Sequence, residues 1–515
     1  MAFNNNVYNK NRIAKNTALL YIRMLFTMFI NLYTTRLVLS NLGVEDMGTY
    51  GLVGSIVGFF AIIGTGFQTA IQRFITFETG KDNGDVNLVF CTCINVLIIY
   101  SLFLFVLLEI GGSWYLYNYA NIPEGTLNTA FWVLQCSIIV CIVTLLSIPY
   151  NAIIVANERM GAFALVSTLQ VVLNCIAAYL ISLWENDRLL IYSILLVIVG
   201  VLIRLIYQFY CMAKFKESKY HLCIDKNVVW QVGKFALASS SSGALQVVSG
   251  QGVVFIFNFF YGVSVNAVYT IALQIKNSFI SFSYNLYKAI SPQITKTYAH
   301  GEMESFKKLV YSGSKIEVYL NYIIMIPFLY KSEYVMKLWL GDVPEYAPDF
   351  ARCVIFSSLL WASVAPFYDA VYAANKVNKF LIIPELVFLI VLPSTYIACK
   401  VFHDPVMMMS IIVLFDIFVV LIRIYYSVKG ANLDFKDVIN IVAIPSVLVG
   451  ALAFLSGYLL NMFLSEESFL NFILLIILNA FALLIIIYVI GLKKHERDFV
   501  TNICYVYLKK LIRTE

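Results

Sequence analysis

The chain contains about fourteen stretches of roughly 20 mostly apolar residues, each long enough to cross a hydrocarbon core of about 30 Å as a helix. Lipid offers no partner to a backbone N–H or C=O, so only helices and closed barrels can span it. Segments of this length fit helices. They fall at 17–39, 49–70, 86–110, 128–150, 161–183 and 189–213, and then at 235–259, 266–290, 313–335, 350–373, 380–400, 405–428, 438–462 and 469–491. The expected fold class is therefore all-α, a polytopic membrane protein. Composition agrees: 61% of residues are hydrophobic and 13% charged, against about 45–50% and about 25% in soluble domains. The loops run to about twenty residues at most, too short for an ordinary soluble catalytic domain.

Much of the pattern between Lys15 and Thr76 returns in the second half of the chain at one constant offset, set by Lys15 and Lys234. At that offset Gly43, Val44 and Tyr50 return as Gly262, Val263 and Tyr269, and Ala70, Ile71, Ile75 and Thr76 return as Ala289, Ile290, Ile294 and Thr295. The offset still holds downstream, where Leu202-Ile203-Arg204 and Tyr207 match Leu421-Ile422-Arg423 and Tyr426. Several matches at one spacing indicate a duplication. The organisation expected is an N-lobe of six helices (1–213), a basic linker (214–234), a C-lobe of six helices (235–428), and two appended helices with a tail (429–515). An even number of helices per repeat makes the repeats parallel, related by a pseudo-twofold axis along the membrane normal.

Lysine and arginine set the orientation. The segments 214–234, 288–315 and 493–513 are rich in them, whereas 111–127, 260–265 and 463–468 have none. The positive-inside rule then predicts cytoplasmic N- and C-termini in a multi-pass protein. No cleavable signal peptide is expected, because the first apolar helix is long enough to stay as an anchor. In the tail, Phe499, Val500, Ile503, Tyr507 and Leu511 recur at helical spacing among Lys494, Arg497, Lys509, Lys510 and Arg513. This amphipathic pattern predicts an interfacial helix drawn to anionic membrane lipids. The net charge of +6 thus reads as topology, and no nucleic-acid partner is expected. The ten cysteines form no C-x-x-C pair and the four histidines are scattered, so no metal site is expected.

Four basic residues fall inside the apolar helices: Arg23, Arg204, Lys276 and Arg423. Each costs about 2.5–3.5 kcal/mol at the centre of a lipid-facing helix. Facing a hydrated interior or a partner removes that cost; snorkelling to the headgroups is the alternative for Arg23 and Arg423, near helix ends, and for Arg36. Arg204 and Arg423 are equivalent positions of the two repeats, so a repeat axis would set them on opposite walls of one central cleft. With Arg23 and Lys276 they would make it cationic, concentrating anions such as a phosphate or carboxylate. Asp416 is the one acidic residue expected near the midplane. It reads either as a proton or sodium site or as a counter-charge that orients Arg423. Glu109, Glu317, Asp369 and Glu385 lie near helix ends, where solvation is the simple account. The seventh helix is unusually polar, and Gln246, Gln251, Gln274 and Asn277 are expected to line the cavity. Gly54-x-x-x-Gly58 and the alanine pairs Ala152/Ala156 and Ala370/Ala374 suit close helix contacts.

The chain resembles the polysaccharide flippases (Wzx-type, O-antigen and exopolysaccharide exporters) of the multidrug/oligosaccharidyl-lipid/polysaccharide superfamily, which share a MATE-like fold. The resemblance rests on Ala14-Lys15-Asn16-Thr17, Thr35-Arg36, Leu42-Gly43-Val44-Glu45-Asp46-Met47-Gly48-Thr49-Tyr50 and Gln72-Arg73-Phe74. It implies about 14 transmembrane helices in a six-plus-six-plus-two arrangement, in a bacterial cytoplasmic (inner) membrane. It also implies that an undecaprenyl-pyrophosphate-linked oligosaccharide is carried from the inner to the outer leaflet by alternating access. Related lipid II flippases line their cavity with basic residues of the first and eighth helices, where Arg23 and Lys276 fall. No cofactor is implied beyond coupling to a proton or sodium gradient. A monomer is expected, with a polysaccharide polymerase and glycosyltransferases as working partners. The rival within the fold is a multidrug or organic-cation antiporter, which would be expected to show carboxylates in its cleft. A polyprenyl-linked glycan-handling enzyme is the rival from another class, with Glu45-Asp46 as its only foothold. These residues also serve as a helix cap.

Overall fold

The computed structural model describes residues 10–81, 84–123, 125–287, 290–493, 496–498 and 501. The amphipathic tail expected from Phe499 to Leu511 lies outside the described residues. The described part is helical, with no strand. In chain order the helices are α1 (Lys10–Phe60), α2 (Ile62–Thr79), α3 (Val86–Leu107), α4 (Ser113–Asn118), α5 (Leu127–Ala156), α6 (Met160–Leu180) and α7 (Arg188–Lys214). The second half has α8 (Lys226–Tyr287), α9 (Ser291–Ala299), α10 (Met303–Tyr330), α11 (Ser332–Leu340), α12 (Ala347–Ala373), α13 (Val377–Phe388), α14 (Val391–Phe402) and α15 (Pro405–Gly430). The chain ends with the short α16 (Phe435–Asp437), then α17 (Ile444–Phe463) and α18 (Phe469–Ile486).

Ten helices among the described residues are long and apolar enough to cross a membrane, or eleven when the bent pair 23–60 and 64–79 counts as one span. Fourteen were expected. Part of the difference is α10, whose middle carries Lys315, Glu317 and Asn321 and is less apolar than its length suggests. Part is that expected spans follow one another without a loop: α8 contains two of them, joined at Gly262.

The duplication is visible in the backbone. Gly43 breaks α1 at φ 80°, and its repeat partner Gly262 breaks α8 at φ 73°. A positive φ is open to glycine without the Cβ clash that other residues meet. Each repeat therefore begins with two helices joined through a left-handed glycine instead of through a loop.

The chain packs as two units. The first holds the residues up to Gln274, with Trp339–Ala347 and Phe388–Ile411; the second holds Ile275–Leu338, Pro348–Val387 and the residues from Ile412. These units differ from the repeat boundaries, because the first arm of α8 packs with the N-terminal repeat. Small residues allow that approach. A Cβ on Gly48 would collide with the Val263 carbonyl oxygen, and one on Gly66 with that of Ala236. Inside lipid, such fit replaces the hydrophobic drive that operates in water. The core of the first unit includes Ile71, Phe90, Leu134, Ile153 and Ala236, all buried. Gly54, expected at a close contact, instead faces open space.

In the second unit, α10 anchors the appended helices through polar groups. Tyr322 Oη donates to the Ser446 carbonyl at 3.2 Å and Tyr330 Oη to the Phe454 carbonyl at 2.9 Å. Lys331 Nζ reaches the Ser465 carbonyl at 3.0 Å. Near the middle of α10 Lys315, buried, pairs with Glu496 at 2.7 Å and also reaches the Gly491 carbonyl. Burial disfavours the charge on Glu496. Hydrogen bonds from Lys315, the Lys493 N–H and Ser312 outweigh it and hold this carboxyl below the ordinary glutamate value.

Candidate functional site

The four deep cations meet two different fates. Arg204, on α7, lays its guanidinium 4.1 Å from the Tyr150 ring centre and donates to Gln208 Oε1 at 3.2 Å. Arg423, at the equivalent place on α15, lies 4.8 Å from the Tyr368 ring centre. Tyr150 and Tyr368 match each other under the repeat offset to within one position, so both repeats build the same arginine-on-tyrosine contact. A cation over an aromatic face gains about 0.5–2 kcal/mol.

Beyond that contact the repeats diverge. Arg423 is only 1% exposed and donates through Nη2 to Glu385 Oε1, a carboxylate buried to 4% exposure. Trp361 and Phe380 complete a ring of aromatics around it at 5.2 and 5.4 Å. Arg423 thus sits in a buried ion pair, not on an open cavity wall. Glu385, expected to be solvated near a helix end, is its counter-charge. The place that corresponds to Glu385, in the register that pairs Tyr150 with Tyr368, is Ser167. Its Oγ accepts a 2.8 Å hydrogen bond from Arg23 Nη1. Where one repeat places a carboxylate, the other places a hydroxyl.

Lys276 is also neutralised. Its Nζ lies 3.5 Å from Asp416 Oδ2. Asp416 is fully buried and accepts from Ser357 Oγ and, at 3.0 Å, from Trp361 Nε1. Asp416 therefore serves as counter-charge to Lys276, while Arg423 has its own partner. The counterpart of Asp416 in the first repeat, in the register that pairs Arg204 with Arg423, is Val197. A third carboxylate of the second unit, Glu317, is also buried, and neither oxygen has a hydrogen-bond partner among the described residues. Solvation does not account for it.

Arg23 and Arg204 form no ion pair among the described residues. Both are half-buried in the first unit. Arg23 lies 5.9 Å from the Phe163 ring centre, and its Nε has no partner among the described residues. Its charge also reaches Tyr207, one turn beyond Arg204 on α7. An uncompensated pair of guanidiniums against hydroxyls and aromatic faces is suited to an anion with sugar-like polar groups. Of the expected cavity-lining amides, Gln246 and Asn277 are exposed while Gln251 and Gln274 are half-buried. Gln246, Gln251 and Gln274 belong to the first unit, Lys276 and Asn277 to the second. Arg36 is exposed.

Reading the sequence alone passed over Tyr150, Ser167, Ser357, Trp361 and Tyr368, and took the buried Glu385 for a solvated helix-end carboxylate. The tyrosine pair was open to detection, since it obeys the repeat to within one position. Glu385 stands alone among apolar residues beside Pro384, and that isolation is its signal.

Residues 20–180 match the MatE family model. Over nearly the whole chain, the structure is similar to lipid II flippase MurJ in an inward closed conformation. The TM-score is 0.66 at 14% identity, covering 94% of this chain and 100% of that one. The chain has the fold of the MOP superfamily. An inward-facing multidrug resistance MATE transporter of that superfamily aligns at TM-score 0.60 and 14% identity, covering 79% of this chain and 94% of that one. A MOP transporter from Pyrococcus furiosus, whose binding pocket is described as reversed in polarity, aligns at TM-score 0.55 and 14% identity over 81% and 96%. No curated protein matches this MOP-fold chain by sequence.

Proposed function

We propose that this protein is a Wzx-type flippase that moves an undecaprenyl-pyrophosphate-linked oligosaccharide from the inner to the outer leaflet by alternating access. The observation that carries this reading is the extent of the structural match. The match to the lipid II flippase covers 94% of this chain, whereas the MATE transporter leaves about a fifth of it unmatched. The charge pattern supports the same substrate class. Arg23 and Arg204 are cations without carboxylate partners among the described residues, and a pyrophosphate supplies the missing negative charge. Serine, glutamine and tyrosine groups exchange with water around the sugars, and the polyprenyl tail stays in lipid.

A MATE-like cation antiporter is the second reading. It is favoured by the buried carboxylates Asp416, Glu385 and Glu317, a grouping expected of that class. Two variants separate the readings in cells that depend on this chain for glycan export. Arg204→Ala should stop surface glycan, and lipid-linked precursor should accumulate, while the protein still inserts. Asp416→Asn should leave drug tolerance unchanged. Normal glycan display by Arg204→Ala, together with loss of drug resistance in Asp416→Asn, would assign the antiporter instead.

A further inference from the structure

The segment between the two repeats is held against the start of α3 by residues that also bring two thiols and an imidazole together. Asn87 Nδ2 donates to the carbonyls of Glu217 and Lys219 at 2.7 and 2.8 Å. Asn95 donates to the Cys223 carbonyl at 2.8 Å and accepts from Tyr220 Oη at 2.8 Å. Thr92 Oγ1 accepts the Asp225 N–H at 3.2 Å. This ladder sets the register of 217–225 on α3, and within it Cys91, His221 and Cys223 converge. Cys91 Sγ is 3.6 Å from His221 Nδ1, and the three candidate ligand atoms all lie within 4.8 Å of one another.

We propose that Cys91, His221 and Cys223 bind one zinc ion, which clasps the linker between the repeats onto α3. Zinc bonds of about 2.3 Å to sulfur and about 2.0–2.1 Å to nitrogen, at tetrahedral angles, separate sulfur from nitrogen by about 3.5 Å. The Cys91–His221 distance already has that value. The contacts that Cys91 Sγ makes with oxygen are long, 3.6 Å to the Lys219 carbonyl and 3.9 Å to Asn87 Oδ1. Such contacts are easily given up to a metal. The backbone N–H of His221 points at Cys91 Sγ from 3.4 Å, and a donor of this kind steadies a metal-bound thiolate. Cys91 is buried, Cys223 half-buried and His221 exposed, so an ion can enter from solvent and a water can complete the fourth position. On binding, each thiol releases one proton. Two thiolates and one divalent ion then leave the site neutral. Sequence spacing hid this arrangement, because His221-x-Cys223 finds its third ligand 130 residues away from His221.

The test uses the full-length protein, purified in detergent with reductant, stripped of metal and titrated with cobalt(II). One equivalent should produce a sulfur-to-cobalt charge-transfer band and tetrahedral visible bands, both displaced by zinc. Cys91→Ser and Cys223→Ser should lose the band, and Cys175→Ser should keep it. His221→Gln should weaken binding by more than the roughly 10–100-fold that an outer-shell change costs. Zinc should also slow proteolysis within 216–225 in the unmodified protein but not in Cys223→Ser. Absence of the band, or its survival in the Cys91→Ser/Cys223→Ser double variant, would overturn the site. So would recovery of Cys91 and Cys223 as a disulfide. Proteolysis that zinc does not alter would overturn the clasp.

Discussion

The Arg423–Glu385 pair offers a measurable test of how the second unit neutralises its charges. Both groups are almost fully withdrawn from solvent, at 1% and 4% exposure. Glu385 Oε1 accepts from Arg423 Nη2, while Arg423 Nε and Nη1 have no partner among the described residues. Replacing Glu385 with leucine leaves a guanidinium with only aromatic faces, and breaking a buried pair from one side costs about 3–5 kcal/mol. The rings, each worth about 0.5–2 kcal/mol, are already engaged before the change and so recover little of this. A loss of about 3 kcal/mol or more is therefore expected for Glu385→Leu. Arg423→Met should cost a similar amount or somewhat less, because the orphaned carboxyl can take up a proton. Replacing both removes the unpaired charge, and apolar replacements of buried pairs are often neutral or stabilising. A double-mutant cycle measured by reversible unfolding in mixed micelles should give a coupling of about 3 kcal/mol. Single variants that lose less than about 1 kcal/mol, or a double variant whose losses simply add, would refute the buried-pair argument.

Ser167→Glu would give the N-terminal repeat the carboxylate that its partner has in Glu385; it should pair with Arg23 and abolish glycan display without lowering expression. Gly48→Ala should destabilise the first unit by about 1–3 kcal/mol through overpacking against the Val263 carbonyl, read as earlier loss of the monodisperse peak on heating. Gly54→Ala, with open space at its Cβ, should be neutral or gain about 0.5–1 kcal/mol of helix preference. The Glu496 carboxyl is held below its ordinary value of 4.5, so its contribution is present above that pH and lost as pH falls through the lowered value. Thermal unfolding should therefore show an acid-induced loss that Lys315→Met moves towards higher pH.

Much of the fold was legible because its determinants are local or periodic. Segment length and apolarity mark the helices, and the constant repeat offset ties Gly43 to Gly262, which share a left-handed backbone. The candidate site was legible only in part. Arg23, Arg204, Lys276 and Arg423 stood out as charges in apolar runs, yet a charge announces a need for a partner without saying where the partner lies. Glu385 is 38 residues from Arg423, and Asp416 and Lys276 sit on helices as far apart in the chain as α15 and α8. Helix periodicity carries no information over such distances. His221 and Cys223 meet Cys91 for a similar reason, since the linker's path over α3 is set by tertiary hydrogen bonds from Asn87, Thr92 and Asn95.

Duplication supplies both repeats with an arginine on a tyrosine face, and later substitution has made the halves electrically unlike. Glu385 and Asp416 have Ser167 and Val197 as their counterparts, so the second unit pairs Arg423 and Lys276 internally, while Arg23 and Arg204 of the first meet no carboxylate among the described residues. A cation already matched by a buried carboxylate gives an anionic ligand little, because the attraction is already satisfied and the pair must be separated first. A cation matched only by hydroxyls and ring faces retains most of its field in a low-dielectric surround. If the ligand is a pyrophosphate, its hold therefore belongs to the first unit. The paired charges of the second unit are then closed to it. Division of labour between the repeats follows from where two carboxylates were placed.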